Sequence, residues 1–322
     1  MKKTYLLLLT ILFYADLFGA PLNHNVQFPT LFMFMAPKAE TPEIVDNFKA
    51  SVSLDHTSIH VNKTSSNFEV LMDMEYTVLT PTLEYNIFHD ASVSIEIPVI
   101  SMNDGFLDRP LADYHDAGNF GDYGRSLRPH NDFGYYIKQN NQDWFIAKKG
   151  SAHILDTTAS IKYIVYRDEN LLCAATYKVK MPTGNYKYGF GSGKFDHGFF
   201  MLTRYSMDDI IFYLNPGLIL IEDPKTIGAD IKTNSVYSLF TAIEYKYSKK
   251  LSIIVQLNSF TNHINGSDIN NFENDTVEGT IGFSYVIAES VRFEFSFSED
   301  LTYIASAPDF TFQTGLVMGF GK

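Results

Sequence analysis

The sequence predicts an all-β protein: a closed, transmembrane, antiparallel up-and-down β-barrel of about 12 strands, within a range of roughly 10 to 14. Three observations predict this fold. Apolar and polar residues alternate along most of the chain after residue 46, and the connections between the alternating segments are short and long in turn. Aromatic residues make up 15% of the 322 residues, yet the mean hydropathy of −0.07 is too low for a bundle of membrane helices.

The alternation is the period-two signature of strands with one apolar and one polar face. Near the C-terminus, Val291, Phe293 and Phe295 alternate with Arg292 and Glu294. Strands are predicted at residues 47–61, 67–87, 91–100, 153–166, 170–181, 194–206, 209–221, 235–248, 250–260, 275–288, 290–299 and 308–320. The second of these is long enough to project well above a bilayer.

The connections distinguish a membrane barrel from a soluble sandwich, whose strands would also alternate. Tight turns are predicted at residues 89–90, 167–170, 206–208, 248–250 and 289–290, and long polar loops at 101–152, 183–194, 222–234, 261–274 and 299–307. Outer-membrane barrels combine short periplasmic turns with long extracellular loops in this way. Closure also removes the unpaired edges that an open amphipathic sheet would expose.

The composition excludes several other classes of protein. With 19% charged residues, the chain is neither a disordered nor a coiled-coil sequence. A net charge of −12 leaves no basic face for the phosphates of nucleic acid, so we expect no nucleic-acid partner. Cys173 is the only cysteine, which excludes an internal disulfide framework and a cysteine-rich zinc site. No cofactor and no metal are predicted.

The first 20 residues have the layout of a secretory signal peptide. Lys2 and Lys3 precede an apolar stretch at residues 5–14, and Asp16 keeps this stretch shorter than the roughly 18 apolar residues of a spanning helix. The competing interpretation is an uncleaved, buried N-terminal helix. We therefore predict an exported protein of the bacterial outer membrane.

The predicted organisation is a signal peptide at residues 1–20, a periplasmic or plug-like segment at 21–46 and a barrel at 47–322 with the extracellular loop 101–152. The predicted partners are outer-membrane lipid and the barrel assembly machinery. That machinery recognises a final alternating strand that closes on an aromatic residue, and the strand ending at Phe320 resembles this signal, although Gly321 and Lys322 follow it. The sequence leaves the oligomeric state open.

The long loop carries a recognisable run of residues: Gly105, Phe106, Leu107, Asp108, His115, Asp116, Gly124 and Arg125. The run resembles one in an uncharacterised family of bacterial outer-membrane proteins that carry a domain of unknown function, where a Gly occupies the position of Asp104. A second run, at residues 181–196, is similar to barrels encoded beside aromatic-degradation pathways, which are regarded as transporters. The resemblance implies a fold and a location, and no chemistry.

The same loop is predicted to contain a short amphipathic helix, because Phe106, Leu107, Leu111 and Tyr114 recur at helical spacing. Two arrangements of the loop are possible. It could fold into the barrel mouth as a lid, or it could pack on itself outside the barrel. We favour the second arrangement, because loops of this length usually need their own packing.

Eight charged residues share the parity that points into the predicted lumen and form the candidate pore lining: Lys162, Lys178, Lys180, Arg204, Glu244, Lys246, Arg292 and Glu294. Ionisable groups at membrane depth need water or partners. These residues could set the charge selectivity of a channel, or they could pair across a narrow lumen and block it. Since six of the eight are basic, an open path is predicted to prefer anions or acidic solutes.

A lipid hydrolase is the minor enzymatic hypothesis. His56 and Ser58 lie two residues apart on one strand with lipid-facing parity, an arrangement similar to that of outer-membrane phospholipases. Those enzymes have Asn-Gly after the Ser, where Ile59 and His60 stand here, and no residue can be assigned to orient the base. No catalytic residue is therefore predicted.

Two main functional hypotheses follow from the sequence. The first is a channel or facilitator for small, hydrophobic or acidic solutes. The second is a non-conducting structural or surface-interaction barrel whose lumen is filled. We favour the first, which is supported by the barrel pattern and by a fold-level analogy, and the second is the alternative.

Overall fold

The computed structural model describes residues 20–44, 46–118, 128–302, 305–308 and 310–320, and nearly all of the predicted signal peptide lies outside them. Two short helices among these residues, α1 (Asp108–Gly118) and α2 (Asn270–Glu273), lie between strands. The strands are β1 (Phe48–Thr64), β2 (Phe68–Phe88), β3 (Ala91–Glu96), β4 (Val99–Asn103), β5 (Gly134–Gln139), β6 (Gln142–Asp143), β7 (Gly150–Ile154), β8 (Thr157–Arg167), β9 (Leu171–Met181), β10 (Asp196–Met207), β11 (Ile210–Ile221), β12 (Lys232–Thr233), β13 (Val236–Lys246), β14 (Leu251–Phe260), β15 (Ile264–Asn265), β16 (Thr276–Ala288), β17 (Val291–Asp300) and β18 (Phe310–Phe320).

Neighbouring strands pair antiparallel, and the sheet closes on itself. β3 and β4 together act as one barrel strand, and β7 and β8 act as the next. The last strand pairs with the first, from Phe48 opposite Phe320 to Ser58 opposite Phe310. This closed 12-strand antiparallel barrel confirms the predicted fold class.

The first two strands are the tallest part of the barrel, with 17 residues in β1 and 21 in β2. At about 3.3 Å per residue, a strand as long as β2 extends roughly 70 Å, well beyond an apolar band of about 25 Å. Its upper part pairs with β5, from Phe68 opposite Gln139 to Asp73 opposite Gly134. The region predicted as loop 101–152 therefore contains part of β4, all of α1, β5 and β6, and most of β7.

The outer face of the barrel is apolar and exposed, as a lipid-facing surface requires. Leu214, Ile243, Val255 and Ile281 are typical of it. Tyr247 lies exposed at a short-turn end, where aromatic side chains form the interfacial girdle of membrane proteins. Within the described part of the chain, no helix is long and apolar enough to cross a bilayer.

The inside of the barrel divides into two regions. The apolar region lies towards the long loops, where Phe32 and Met33 pack with residues such as Tyr76, Trp144 and Phe272 in one buried cluster. The polar region lies towards the short turns, where buried wall residues carry charges and hydroxyls, such as Glu84, Ser92, Lys162, Lys178 and Arg292. In both regions, residues 20–44 pack against the barrel wall.

Candidate functional site

Residues 20–44 lie inside the barrel, and we call them the plug. Their regular structure is limited to a 3-10 turn at Pro29–Phe32 and an isolated β-bridge between Asn25 and Lys38. Backbone groups that are buried without secondary structure need other hydrogen-bond partners. The barrel wall supplies those partners along the whole length of the plug.

The beginning of the plug is bound by amide and carboxylate side chains of the wall. The Leu22 N–H donates to Oε1 of Gln256 at 2.7 Å, and the Asn23 N–H donates to Oε2 of Glu294 at 3.0 Å. The Asn23 carbonyl accepts a hydrogen bond from Nε2 of Gln313. These contacts join the plug to β14, β17 and β18.

His24 of the plug lies between two buried carboxylates of the wall. Its Nε2 is 2.5 Å from Oε1 of Glu278, and its Nδ1 is 3.9 Å from Oδ1 of Asp55. Burial by itself lowers the pKa of His24, but the nearby carboxylates of Glu278 and Asp55 outweigh burial and raise the pKa above its usual value. The arrangement therefore favours a protonated His24 in the docked plug.

The middle of the plug packs in the apolar region. The Phe32 ring meets Tyr76 at 5.0 Å between centroids, and the Phe34 ring lies 6.2 Å from Trp144. Several polar contacts lie within this region. Oγ1 of Thr30 is 2.7 Å from Nε2 of His263, and the hydroxyls of Tyr76 and Tyr135 donate to the backbone carbonyls of Gln27 and Pro29. Burial lowers the pKa of His263 to about 3, so its ring is neutral at neutral pH. The middle of the plug is thus held by aromatic packing and by neutral hydrogen bonds.

The end of the plug is bound to β3 and to the wall formed by β8–β11. The Met35 N–H donates to Oδ2 of Asp196 at 2.8 Å, and Lys38 pairs with Glu96. The Glu40 carboxylate pairs with Lys178, and the Glu43 carboxylate pairs with Arg204. The backbone carbonyls of the same two glutamates accept hydrogen bonds from Asn215 at 2.8 Å and Lys162 at 3.1 Å.

The other residues of the candidate pore lining are bound mainly within the wall. Lys162 pairs with Glu84 at 3.1 Å, and Arg292 pairs with Glu294 at 2.5 Å. Lys180 is shared by two buried carboxylates, with distances of 2.5 Å to Asp156 and 3.4 Å to Asp196. Glu244 accepts a hydrogen bond from the Tyr213 hydroxyl at 2.8 Å, and Lys246 is half-buried near a short turn. The eight residues are therefore divided between plug contacts and wall contacts.

Several residues of the site were not singled out in the sequence analysis. Asp55, Glu84, Glu96, Asp196 and Glu278 also face the lumen, and they balance much of the basic charge. The strand alternation contained a signal for these wall acids, because they lie on the inward parity of predicted strands. Plug residues such as Glu40 precede the first alternating strand, so no periodic signal indicated them.

In the described part of the chain, at least two cavities flank the plug. The larger, of about 1040 Å³ including its open mouth, lies in the polar region between the plug and the wall, where Glu40, Glu43, Lys162 and Lys178 contribute to its lining. The smaller, of about 670 Å³, lies beside the apolar middle of the plug, against Pro98 and Leu155. The barrel interior thus keeps space for a small solute beside the plug.

The loop motif lies on the outer face of the tall hairpin. The N–H groups of Phe106 and Leu107 both donate to Oε1 of Glu75, at 2.7 and 2.5 Å. Gly105 has a φ of +76°, and a Cβ at this position would lie 2.1 Å from Cδ of Glu75. The turn therefore requires glycine at this position.

The neighbouring residues tie this turn to the rest of the loop. Asp104, where the related run has Gly, pairs with Lys149 at 2.6 Å, and this hydrogen-bonded ion pair lowers the pKa of Asp104. Asp108 begins α1 and accepts the Asn131 N–H at 2.5 Å, while Asp116 is exposed on α1. The side chain of His115, and both Gly124 and Arg125, lie outside the described residues. The residues that do fill the barrel mouth come from later in the same loop, notably Trp144 and Phe145.

The histidine of the hydrolase hypothesis is engaged in structural contacts. Nδ1 of His56 is 2.9 Å from Oγ1 of Thr77, and Nε2 is 3.3 Å from Oε2 of Glu75. The Phe106 ring stacks on the His56 ring at 5.7 Å. Both ring nitrogens therefore have partners other than Ser58, and the ring is covered by the motif turn. Among the described residues, no group of three or more His, Cys, Asp or Glu side chains could hold a metal ion.

A closed barrel with an apolar outer belt and a polar, partly filled interior defines the class of outer-membrane β-barrel proteins. The chain belongs to the family described as "Protein of unknown function (DUF3187)", whose family model matches residues 16–320. The resemblance noted in the loop motif is thereby confirmed. No curated protein sequence matches the chain.

The chain is similar to solved structures of outer-membrane proteins at low sequence identity. The COG4313 outer-membrane channel from Pseudomonas putida F1 is 14% identical, with a TM-score of 0.59, over 86% of this chain and 97% of that chain. The NanC porin is 7% identical, with a TM-score of 0.49, over 85% and 100% of the two chains. The P. putida toluene transporter TodX is 9% identical, with a TM-score of 0.40, over 92% and 94%. The first of these similarities supports the outer-membrane barrel fold, and with it the predicted location.

Proposed function

We propose that the protein is a channel or facilitator for small solutes in the outer membrane, closed by its own plug and opened when the plug moves. The observation that carries this proposal is that residues 20–44 fill the lumen without joining the barrel sheet. Side-chain contacts to the wall can break without disrupting the wall itself. The cavity of about 1040 Å³ beside the plug gives a solute a place to enter.

Single-channel recording of the refolded protein tests this proposal. The mature chain should show rare or brief openings, and a variant lacking residues 20–44 should conduct steadily. A third sample has the plug locked covalently to the wall. It carries His24→Cys and Glu278→Cys in a Cys173→Ala background, and a short bifunctional reagent that forms a disulfide with each thiol joins the two new cysteines. We expect the locked protein to be silent and its conductance to return when the link is reduced. Equal conductance with and without the lock would contradict the proposal.

The second candidate is a non-conducting barrel that serves a structural role or binds a partner with its loops. The observation that favours it is the apolar region, where buried Trp144, Phe145 and Phe272 seal the loop side together with the plug. The same recordings decide between the two candidates. A folded barrel that stays silent without residues 20–44 supports the structural role.

We further propose that the protein is not an enzyme. The contacts of His56 with Thr77, Glu75 and Phe106 support this view, because they hold the ring in place beneath the motif turn. A general base must instead be able to reach its nucleophile. Lipid hydrolysis should be absent in the purified protein and unchanged in Ser58→Ala. Hydrolysis that is lost on this substitution would restore the hydrolase hypothesis.

Export and assembly complete the proposal: residues 1–20 direct export, and the assembly machinery recognises the strand that ends at Phe320. The Phe320 ring packs 5.7 Å from Phe48 where the barrel closes. We expect Phe320→Ala to reduce the amount of heat-modifiable, folded barrel in cells, while Phe48→Ala removes the same ring contact and preserves the final strand. A similar reduction in both variants would indicate that Phe320 acts only through its packing against Phe48 and not as a recognition signal.

A further inference from the structure

We infer that the wall formed by β8–β10 carries a binding row for solutes that bear a carboxylate, and that Glu40 and Glu43 of the plug occupy this row in the closed state. The inference depends on the proposed channel function, and it adds a solute class and a cause of opening. A carboxylate solute entering the adjacent cavity competes with the plug for the same cations and releases it.

The row consists of Lys178, Lys162 and Arg204, on three adjacent strands. Lys178 of β9 lies opposite Ser160, whereas Lys162 of β8 lies opposite Thr176, two residues closer to the short turns. Arg204 of β10 lies opposite Leu172, which is four residues further along β9 in the same direction. At about 3.3 Å per residue, the row descends the wall over roughly 20 Å.

The plug supplies the anionic partners at the two ends of this row. Among the described residues, the only carboxylate within 4.0 Å of Nζ of Lys178 is that of Glu40. Glu43 is likewise the only residue in the described part of the chain whose carboxylate lies within 4.0 Å of the Arg204 guanidinium. Withdrawal of the plug therefore leaves two wall cations without an ion-pair partner. An unpaired cation in a largely buried site attracts an anion strongly.

Two other interior lysines keep their carboxylate partners when the plug leaves. Lys162 keeps its pair with Glu84, and Lys180 keeps Asp156 and Asp196, because all three carboxylates belong to the barrel. The positive charge exposed by plug withdrawal is therefore confined to Lys178 and Arg204. Plug withdrawal also uncovers the wall acids Glu96 and Glu278, which face Lys38 and His24 of the docked plug, so the anion-binding positions are confined to the cationic row.

The local chemistry suits a carboxylate. The occupants in the closed state are themselves carboxylates, and Arg204 is held by hydrogen bonds from Nε and Nη2 to Oγ of Ser206, at 3.0 and 2.8 Å. The Thr176 hydroxyl, level with Lys162, is buried and has no hydrogen-bond partner among the described residues. It can donate to a bound oxyanion. The ammonium group of Lys178 and the guanidinium of Arg204 lie at opposite ends of the row, so each can bind one carboxylate group of a small mono- or dicarboxylate.

The cavity gives such a solute access before the plug leaves. Glu40, Glu43, Lys162 and Lys178 all line the space of about 1040 Å³. A solute can therefore reach Lys178 while the plug is still docked, and it can displace Glu40 before Glu43. Stepwise replacement needs a smaller displacement than release of the whole plug.

Plug exposure is measured with Met33→Cys in a Cys173→Ala background, from the rate of reaction with a polar maleimide, because the Met33 side chain is fully buried in the docked plug and lines neither cavity. Succinate is the probe, and neutral succinamide at equal ionic strength is its control. We expect succinate to speed labelling roughly fivefold, which corresponds to about 1 kcal/mol of plug stabilisation, and succinamide to have no effect. In Lys178→Gln/Arg204→Gln, labelling should be fast without succinate and insensitive to it. The Lys246→Gln variant, which removes an interior-facing lysine away from the plug, should behave as the parent does.

A second variant keeps the wall cations and removes the plug charges. Glu40→Gln/Glu43→Gln should bind succinate about tenfold more tightly in isothermal titration, because the competing carboxylates are gone. Equal labelling with succinate and succinamide, or an unchanged succinate affinity in this variant, would overturn the inference. Conductance separates this result from the proposed function. Succinate-sensitive labelling in a protein that never conducts refutes the channel alone, and conduction without succinate sensitivity refutes the binding row alone.

Discussion

The two regions of the barrel interior are closed by the same peptide through different physical interactions. In the apolar region, Phe32 and Phe34 pack against rings from β2 and from the loop before β7. In the polar region, Glu40 and Glu43 are held by ion pairs on β9 and β10. Apolar packing is insensitive to salt and to small ions, whereas ion pairs can be exchanged for others of the same charge. The apolar region therefore stabilises the closed state, and the polar region makes closure responsive to solutes.

The largest expected effect tests how strongly the barrel wall depends on paired charges at the long-loop end of β9. Lys180→Met leaves the buried carboxylates of Asp156 and Asp196 without their cation. Removing one partner of a buried ion pair costs about 3–5 kcal/mol, so we expect the free energy of unfolding to fall by about that amount. Urea unfolding of the refolded barrel measures it, with Lys180→Arg as the charge-preserving control. A loss no larger in Lys180→Met than in the Arg variant would show that charge pairing is unimportant here.

The next effect tests the apolar region. Phe32 is buried against Tyr76, so Phe32→Ala should open a cavity and weaken plug docking by about 3 kcal/mol. That loss corresponds to roughly a 100-fold increase in the labelling rate of a cysteine at position 33. The increase should not change with salt. A strongly salt-dependent effect would mean that the two regions are not separable.

A smaller effect comes from His24, which titrates in the polar part of the interior. It faces Glu278 of β16 and Asp55 of β1, with Lys38 of the plug contributing an opposing charge. Because its pKa is raised in the docked state, its contribution is fully present below the usual pKa and is lost as pH rises through the raised value. We expect plug docking to weaken over that interval. Emission from Trp144, the only tryptophan, reports docking, and His24→Gln should remove this dependence.

In the apolar region, His263 should make plug docking depend on pH in the direction opposite to His24. Burial lowers its pKa from 6.5 to about 3, so an undocked state that exposes the ring binds a proton first. Docking should therefore weaken as pH falls below about 6.5 and be insensitive to His263 above it. The test repeats the Trp144 measurement with His263→Gln. This variant should no longer show weaker docking below about pH 6.5, and it should keep the weakening at higher pH that comes from His24. If one substitution removed both pH dependences, His24 and His263 would not titrate independently.

The smallest effect is expected outside both regions. Lys194 and Glu222 form an exposed pair at 3.2 Å near the loop ends of β10 and β11. Exposed ion pairs contribute little, so Lys194→Ala should change the free energy of unfolding by about 0.5 kcal/mol or less. Urea unfolding in low and high salt checks this value. A loss comparable to that of Lys180→Met would show that burial does not control the strength of these pairs.

Most of the barrel could be predicted from sequence because strand side chains alternate between two faces with a fixed period. The predicted segment at 67–87, for example, matches β2 at Phe68–Phe88, including its unusual length. The loop 101–152 was harder to predict. β5 has only the short run Gly134–Gln139, and its partner is the distant upper part of β2, so local alternation could not reveal the pairing.

The candidate site was predicted only in part, for a related reason. Lys178 and Arg204 lie on alternating strands, so their inward parity was readable. Their partners Glu40 and Glu43 lie in a segment with almost no regular structure, where neighbouring residues give no direction to a side chain. The excess of basic residues expected in the lumen also disappears once wall acids such as Glu84 and Glu278 are included.

The sequence by itself determined the strand pattern, the closed barrel and the lipid-facing surface, because each depends on a periodic local pattern matched to a uniform solvent. Only the tertiary structure decided what fills the lumen, since the plug's position depends on side-chain partners far away in the chain, such as Gln256 and Glu294. It also decided that the Gly105 turn binds Glu75 on the outer face of the barrel. Contacts of this kind are set by complementary surfaces, and no local periodicity encodes them.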